Sequence, residues 1–303
     1  MRRHHAAAGE AAYAMTTLGA VFLPQLPPER LRDVAVAADR AGLQELWLWE
    51  DCFREGGVAS AAAAMAWTER VRVGIGLLPV PLRNVALTAM EIATLHRLFP
   101  GRFLVGIGHG VQDWMRQVGA AVDSPLTLLR EYLRVLRALL RGEEVTTEGR
   151  YLRLDHVALD WPPSAVPAVL AGATGPRSLR LCGELADGTV LTASTTTDGV
   201  RRARRLVDEG RADAGLAGPH PLTVYLLTAT GPGAAERLDA EVRGWAGDPA
   251  GIGVAGDANA VADAIGRFAD AGADAVVLQP TADDPDPEGF IRFVADEVRP
   301  LVS

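Results

Sequence analysis

Two rhythms of apolar positions alternate along the chain. Short apolar runs recur eight times: Leu18 to Pro24, Gln44 to Glu50, Val71 to Leu78, Gly101 to Gly110, the start of Val166 to Leu181, Asp187 to Ser194, Pro221 to Thr230 and Ala273 to Pro280. Their length and β-branched content read as buried strands. Between them the apolar spacing turns helical. Leu31, Val34, Ala35 and Ala38 share one face of a helix from Pro28 to Ala41, which Gly42 stops. Val58 to Thr68 is alanine-rich, and Ala86 to Phe99 has the same helical period. Ser124-Pro125 reads as an N-cap followed by proline at the first helical position of a helix to about Leu140, with Leu129, Tyr132, Leu133, Leu136 and Leu140 on its apolar stripe. Further helices follow the fifth and sixth strands, at the end of Val166 to Leu181 and over Val200 to Ala214. The last three span Ala234 to Gly244, Ala258 to Ala271 and Pro287 to Val298.

Apolar strands alternating with helices predict a parallel sheet covered by helices. Eight such repeats predict one (β/α)8 TIM barrel over residues 17–303, with a doubly wound open sheet as the rival. Glu144 to Asp160 alternates around Glu148-Gly149, and so predicts a β-hairpin inserted between the fourth helix and the fifth strand. Residues 1–16 read as a loose tail, in which His4-His5 is a weak metal signal.

Composition narrows the chemistry. The net charge of -8 and pI near 5.3 leave no basic face for a nucleic acid. No apolar run has transmembrane length, and the first residues lack the apolar region of a signal peptide. With Cys52 and Cys182 the only cysteines, no disulfide framework arises and a cytoplasmic location is expected. The chain has no lysine, which excludes Schiff-base chemistry and the P-loop lysine. Basic work falls to arginine and histidine.

In a barrel, function sits where the strands end. The second strand delivers Glu50, Asp51 and Cys52; the third, Gly74-Ile75-Gly76; the fourth, Gly108-His109-Gly110; the fifth, Ala171-Gly172-Ala173-Thr174-Gly175. The sixth delivers Thr192 and Ser194, and the eighth Gln279. Glycine inside a buried strand points to close approach by another backbone or a flat ligand. Gly172 to Pro176 leads straight into a helix, so its N–H groups, Thr174 and Arg177 can form an anion site, or simply an ordinary strand–helix turn. His109 is a candidate general acid or hydrogen-bond donor, or a loop histidine; no second ligand at metal spacing accompanies it. Glu50 or Asp51 can donate a proton if burial raises its pKa, or can serve as a helix cap or arginine partner. Trp49, Trp114 and Trp161 can wall a pocket or fill a core.

The stretches TERVRVGIGLLPVPLRNVALTAMEIATLHRLFPGRFLVGIGHG, SPLTLLREYLRVLRALLRGEEVTTEGRYLRL, VPAVLAGATGPRSLRLCGELADGTVL and GVAGDANAVADAIGRFADAGADAVVLQP, in this order, resemble the bacterial-luciferase-like superfamily of flavin- and deazaflavin-dependent oxidoreductases, nearest its coenzyme F420-dependent subgroup. The resemblance implies hydride transfer between F420 and a small organic substrate. Reduced-FMN-dependent monooxygenation, or flavin binding without catalysis, is the alternative. It places the ring against a bulge, often with a non-prolyl cis peptide, within Gly74-Ile75-Gly76, with Gly108, His109, Gly110 and Thr192 close by. It places the phosphate at Ala171 to Gly175 and Arg177, and the proton with His109 and Asp51 or Glu50. Where the subgroup often has Asp-His after the second strand, this chain has Asp51-Cys52. Relatives often dimerise, so a homodimer through the second and third helices is expected.

Overall fold

A computed structural model describes residues 16–245 and 251–302. The tail expected at residues 1–16 lies, up to residue 15, outside the described residues. The elements run β1 (Thr17–Val21), α1 (Leu31–Arg40), β2 (Glu45–Leu48), α2 (Gly57–Ala66), β3 (Arg72–Pro79), α3 (Val85–Leu98) and β4 (Phe103–Gly108). A short α4 (Gln112–Gln117), not expected from the sequence, precedes α5 (Pro125–Leu140). The hairpin β5 (Val145–Glu148) and β6 (Arg153–Val157) stands before β7 (Val169–Gly172), where it was expected. Then come α6 (Pro176–Leu185), β8 (Gly188–Leu191), α7 (Thr197–Asp213), β9 (Leu222–Ala229), α8 (Ala234–Arg243) and a two-residue β10 (Val254–Ala255) beside β9. The chain closes with α9 (Ala258–Asp270), β11 (Ala275–Pro280) and α10 (Pro287–Arg292), which continues through a π-helical stretch, Phe293–Val298, into α11 (Arg299–Val302).

Eight strands close on themselves in the order β1-β2-β3-β4-β7-β8-β9-β11, every pairing between them parallel. The β8–β9 and β11–β1 pairings exclude the open sheet. This is a (β/α)8 barrel. Strand two ends at Leu48, so Glu50 lies in the loop after it, with Asp51, rather than within the strand. Ser124 holds the N-cap position of α5, but its hydroxyl bonds Thr127 Oγ1 at 2.8 Å instead of a backbone N–H.

Two apolar layers hold the barrel together. Outward-facing strand residues such as Leu46, Val73, Ile75, Val105 and Ala171 pack under the helices. Inward-facing residues, among them Val21, Trp47, Leu170, Val190, Tyr225 and Val277, fill the interior. Period-two alternation sends Glu45 and Trp47 inward and Leu46 and Leu48 outward. The buried Glu45 accepts from Trp47 Nε1 at 2.7 Å and pairs with Arg72 at 2.5 Å. Burial raises its pKa against the pull of Arg72. An interior of this size needs small residues beside large ones. Gly74 is such a residue: a Cβ there would lie 2.6 Å from the Trp47 ring.

Helices α6 and α7 approach each other backbone to backbone. A Cβ on Gly183 would sit 2.1 Å from the Val207 carbonyl oxygen, and one on Gly210 would sit 2.0 Å from that of Arg180. This contact fixes where α6 begins, and therefore the loop in front of it. In Gly183→Ala the gain in helix propensity is about 1 kcal/mol. The clash is against backbone, which yields less readily than a side chain, and overpacking of this kind costs about 1–3 kcal/mol. Urea unfolding of Gly183→Ala is therefore expected to show a lower midpoint than wild type with an unchanged slope.

Candidate active site

The carboxyl-terminal ends of the barrel strands open into a cavity of about 880 Å³. Residues from the loops after β1, β2 and β4, from β3, β7, β8, β9 and β11 or the turns after them, and from α4, α5 and the end of α8 line it. Three open onto one space: Gly76 at the third strand, His109 at the fourth and Thr174 after the fifth barrel strand, β7.

The floor is shaped by a break in β3. Its register against β4 shifts between Ile75 and Leu78, and the Gly76–Leu77 peptide bond is cis. The Tyr225 hydroxyl donates to the Gly76 carbonyl oxygen at 3.3 Å and lies 1.9 Å from where a Gly76 Cβ would be, so only glycine fits there. Leu77 then lies across the neighbouring strands. Its Cδ2 is 2.4 Å from the Cβ position of both Gly108 and Gly172. Two of the strand-end glycines thus make room for a leucine, and that leucine lines the cavity.

These contacts correct part of the expected ring site. Of Gly74-Ile75-Gly76, only Gly76 lines the cavity. Gly74 accommodates Trp47, and Ile75 faces outward with its Cγ2 against Gly57 of α2. Gly108 accommodates Leu77, and Ala171 belongs to the outer core, its carbonyl facing Cys182 Sγ at 3.7 Å. None of these four lines the cavity. Gly110 does; its φ of +65° and its contact with Pro79 require glycine. A second non-prolyl cis peptide, Cys52–Phe53, follows Asp51.

The ionisable groups differ sharply in what they are free to do. His109 Nε2 is 3.0 Å from Ser178 Oγ on α6. Its Nδ1 is buried without a partner at hydrogen-bond geometry, though the Pro125 backbone beside it mildly favours the charged ring. Burial dominates and pushes the pKa down, so the ring is neutral at pH 7. Asp51 lines the cavity, and burial lifts its carboxyl above the ordinary range despite Arg54. Glu50 is committed elsewhere. It accepts the Gly57 N–H at 2.9 Å, at the start of α2, and faces Arg83 Nε at 3.5 Å. Arg83 also pairs with Glu91 at 3.0 Å. Glu50 therefore has both a helix start and an arginine as partners, and borders the cavity as well.

Gly172, Ala173 and Thr174 line the cavity and lead to α6, which opens without a side-chain cap at Gly175. Its first-turn N–H groups thus lack a side-chain acceptor. Gly175 and Arg177 stand outside the lining. Arg177 is exposed, and no hydrogen bond or ion pair with a described residue holds it. Thr192 lines the cavity, with its hydroxyl 2.9 Å from Ser194.

Sequence reasoning missed Leu77, Tyr225, Ser178, Glu241 and Trp245. Glu241 lies in the last turn of α8 and Trp245 just beyond its end, so no helical spacing marked them as a pair. Of the two roles open to the tryptophans, Trp49 and Trp114 wall the cavity, while Trp161 is 71% exposed and stacks under Arg97 away from it.

The 5,10-methylenetetrahydromethanopterin reductase of Methanolobus tindarius is 31% identical over 183 residues, 60% of this chain and 56% of that protein. The F420-dependent glucose-6-phosphate dehydrogenase of Nakamurella multipartita is 33% identical over 215 residues, 61% of this chain and 62% of that protein. The aligned stretches thus span less than two thirds of these relatives. Among solved structures, an F420-dependent secondary alcohol dehydrogenase in complex with an F420–acetone adduct superposes with a TM-score of 0.86 at 21% identity, covering 95% of this chain and 99% of that one. That likeness bears on the barrel alone. A family model described as luciferase-like monooxygenase matches residues 4–275. With the closed parallel barrel and its open mouth, that match establishes the lineage expected from the sequence: the chain belongs to the luciferase-like monooxygenase family.

Proposed function

We propose that the protein is an oxidoreductase that uses coenzyme F420 to transfer a hydride to or from a small organic substrate. The observation that carries this reading is the adjacency, in one cavity, of the Gly76–Leu77 shelf and the Gly172 to Thr174 loop that leads into the uncapped α6. The residues fit such a group. Gly76 and Leu77 offer a flat apolar support, and Thr174, the first-turn N–H groups of α6 and the unpaired Arg177 suit its phosphate. The names of the similar reductase and dehydrogenases support F420 over FMN. When bound, the deazaflavin supplies the carbon that exchanges hydride.

The chain's own part is orientation, exclusion of water and control of a proton. Asp51, its affinity for a proton raised by burial, serves as the acid–base group at the substrate oxygen. His109 stays neutral and offers one ring nitrogen beside Ser178 as a fixed hydrogen-bonding group. Glu50 positions: it ties the loop carrying Asp51 to α2 and Arg83. In the direction that oxidises an alcohol, Asp51 must start as a carboxylate. The rate then rises with pH through its raised pKa.

A homodimer is part of the same proposal. Leu87, Met90 and Leu98, on one face of α3, are 48%, 56% and 65% exposed, as expected of a face that a second copy covers. Light scattering is expected to give twice the chain mass, reduced to one in Met90→Glu.

Fluorescence titration of the purified protein with F420 and with FMN tests the cofactor. F420 is expected to bind at least about tenfold more tightly, and Arg177→Ala to weaken it by about tenfold, as loss of one charge-assisted bond does. Tight FMN binding with no F420 affinity would replace the reading with a reduced-FMN-dependent monooxygenase. Asp51→Asn is expected to lower turnover by about 10²–10⁴-fold and to abolish the acid limb of the oxidative pH profile, with F420 affinity unchanged. An unaltered profile removes Asp51 from the mechanism.

A further inference from the structure

Gln279 is a buried polar side chain that the mechanism above does not use. It follows the inward-facing Val277 by two residues on β11 and so also points inward. It is 6% exposed, lines the cavity, and its amide makes no hydrogen bond with any described residue. That amide opens onto the cavity and is not one of the sealed polar atoms left without a partner, so its donors and its acceptor are free for a group that enters there. In the closed sheet β11 stands opposite β4, four strands away in either direction. Gln279 therefore faces the His109 wall from across the mouth, away from the Gly76–Leu77 shelf and the start of α6.

The wall around it has a consistent character. Gln25 adds a second amide, Trp49 and Trp245 add two indoles, and Glu241 adds a carboxylate that already accepts the Ala282 N–H at 3.1 Å. The Trp49 indole N–H is itself buried without a partner at hydrogen-bond geometry, beside Tyr225. Three carboxylates border the cavity, Glu50, Asp51 and Glu241, and among the described residues that line it there is no arginine; the chain holds no lysine. A phosphorylated substrate would meet like charge with no cation to match it, while a neutral hydrogen-bonding oxygen would complete Gln279.

We infer that this wall is the substrate subsite, that it takes an uncharged, largely apolar alcohol or carbonyl compound whose oxygen hydrogen-bonds the Gln279 amide, and that it rejects phosphorylated substrates. The inference rests on the F420 reading. The reaction balances on that basis. An alcohol loses hydride from carbon to the cofactor and its hydroxyl proton to the Asp51 carboxylate, and the carbon–oxygen double bond forms.

The test begins with protein whose F420 loading is verified by fluorescence titration; absence of loading refutes the cofactor reading, and the comparison is then made on the FMN-loaded protein. Cyclohexanol, cyclohexanone and glucose 6-phosphate are titrated separately, following quenching of cofactor fluorescence. The two uncharged probes are expected to bind at least about tenfold more tightly than glucose 6-phosphate. Gln279→Leu is expected to weaken them about tenfold, equivalent to about 1.4 kcal/mol, while leaving F420 affinity unchanged. Because the Gln279 amide makes no hydrogen bond with any described residue, the ligand-free melting temperature of this variant should match wild type, which a structural role for Gln279 would not allow. Gln279→Arg should reverse the preference and gain affinity for glucose 6-phosphate. Three results each overturn the inference: glucose 6-phosphate binding as well as the uncharged probes in wild type, loss of F420 affinity in Gln279→Leu, or no binding of any probe by the loaded protein up to solubility.

Discussion

The mouth of this barrel depends on one steric arrangement: a leucine laid across two missing side chains. Where β3 breaks register, Leu77 swings over Gly108 of β4 and Gly172 of β7. A methyl group on either glycine would occupy the space of the Leu77 side chain. On the other side of the same peptide, the Tyr225 hydroxyl takes the place of a Gly76 side chain and bonds its carbonyl. Four strands are thereby locked around one short irregular segment, and the cavity has an apolar floor where the strands end. The interior beneath, filled by Trp47 and the other inward residues, keeps that floor from collapsing.

Burial acts on the site's titratable groups in opposite directions. It makes Asp51 hold its proton more tightly and His109 hold its proton less tightly, because in each case the neutral form is favoured out of water. Glu50, one residue away, has a helix N–H and an arginine to face. Two adjacent carboxylates thus differ by their partners: Glu50 is held by a helix N–H and an arginine, while Asp51 is buried at the cavity wall. The lining is acidic where charged and is otherwise apolar or carries neutral hydrogen-bonding groups, while the one unpaired arginine considered for an anion stands outside it at the start of α6. That division of charge suits an anionic cofactor tail at the rim and a neutral substrate within.

Periodicity alone determined the architecture. Period-two runs alternating with period-3.6 runs require parallel strands covered by helices. The number of repeats and the hairpin between α5 and β7 followed from where those rhythms change. The strand-end positions of Asp51, His109, Gly172 and Thr174 were legible for the same reason, since chain order dictates which loops lie at the mouth. What each residue does there was decided only by tertiary structure. A glycine records that something comes close but not what: at Gly74 it is Trp47, at Gly108 it is Leu77, at Gly76 it is Tyr225, and each partner lies on a different strand. Ser178 meets His109 across 69 residues of sequence, and Gln279 lines the same cavity only because the sheet closes. Local spacing encodes which face a residue takes, whereas contact between distant faces, and the burial that sets pKa and partner, exists only once the barrel has formed.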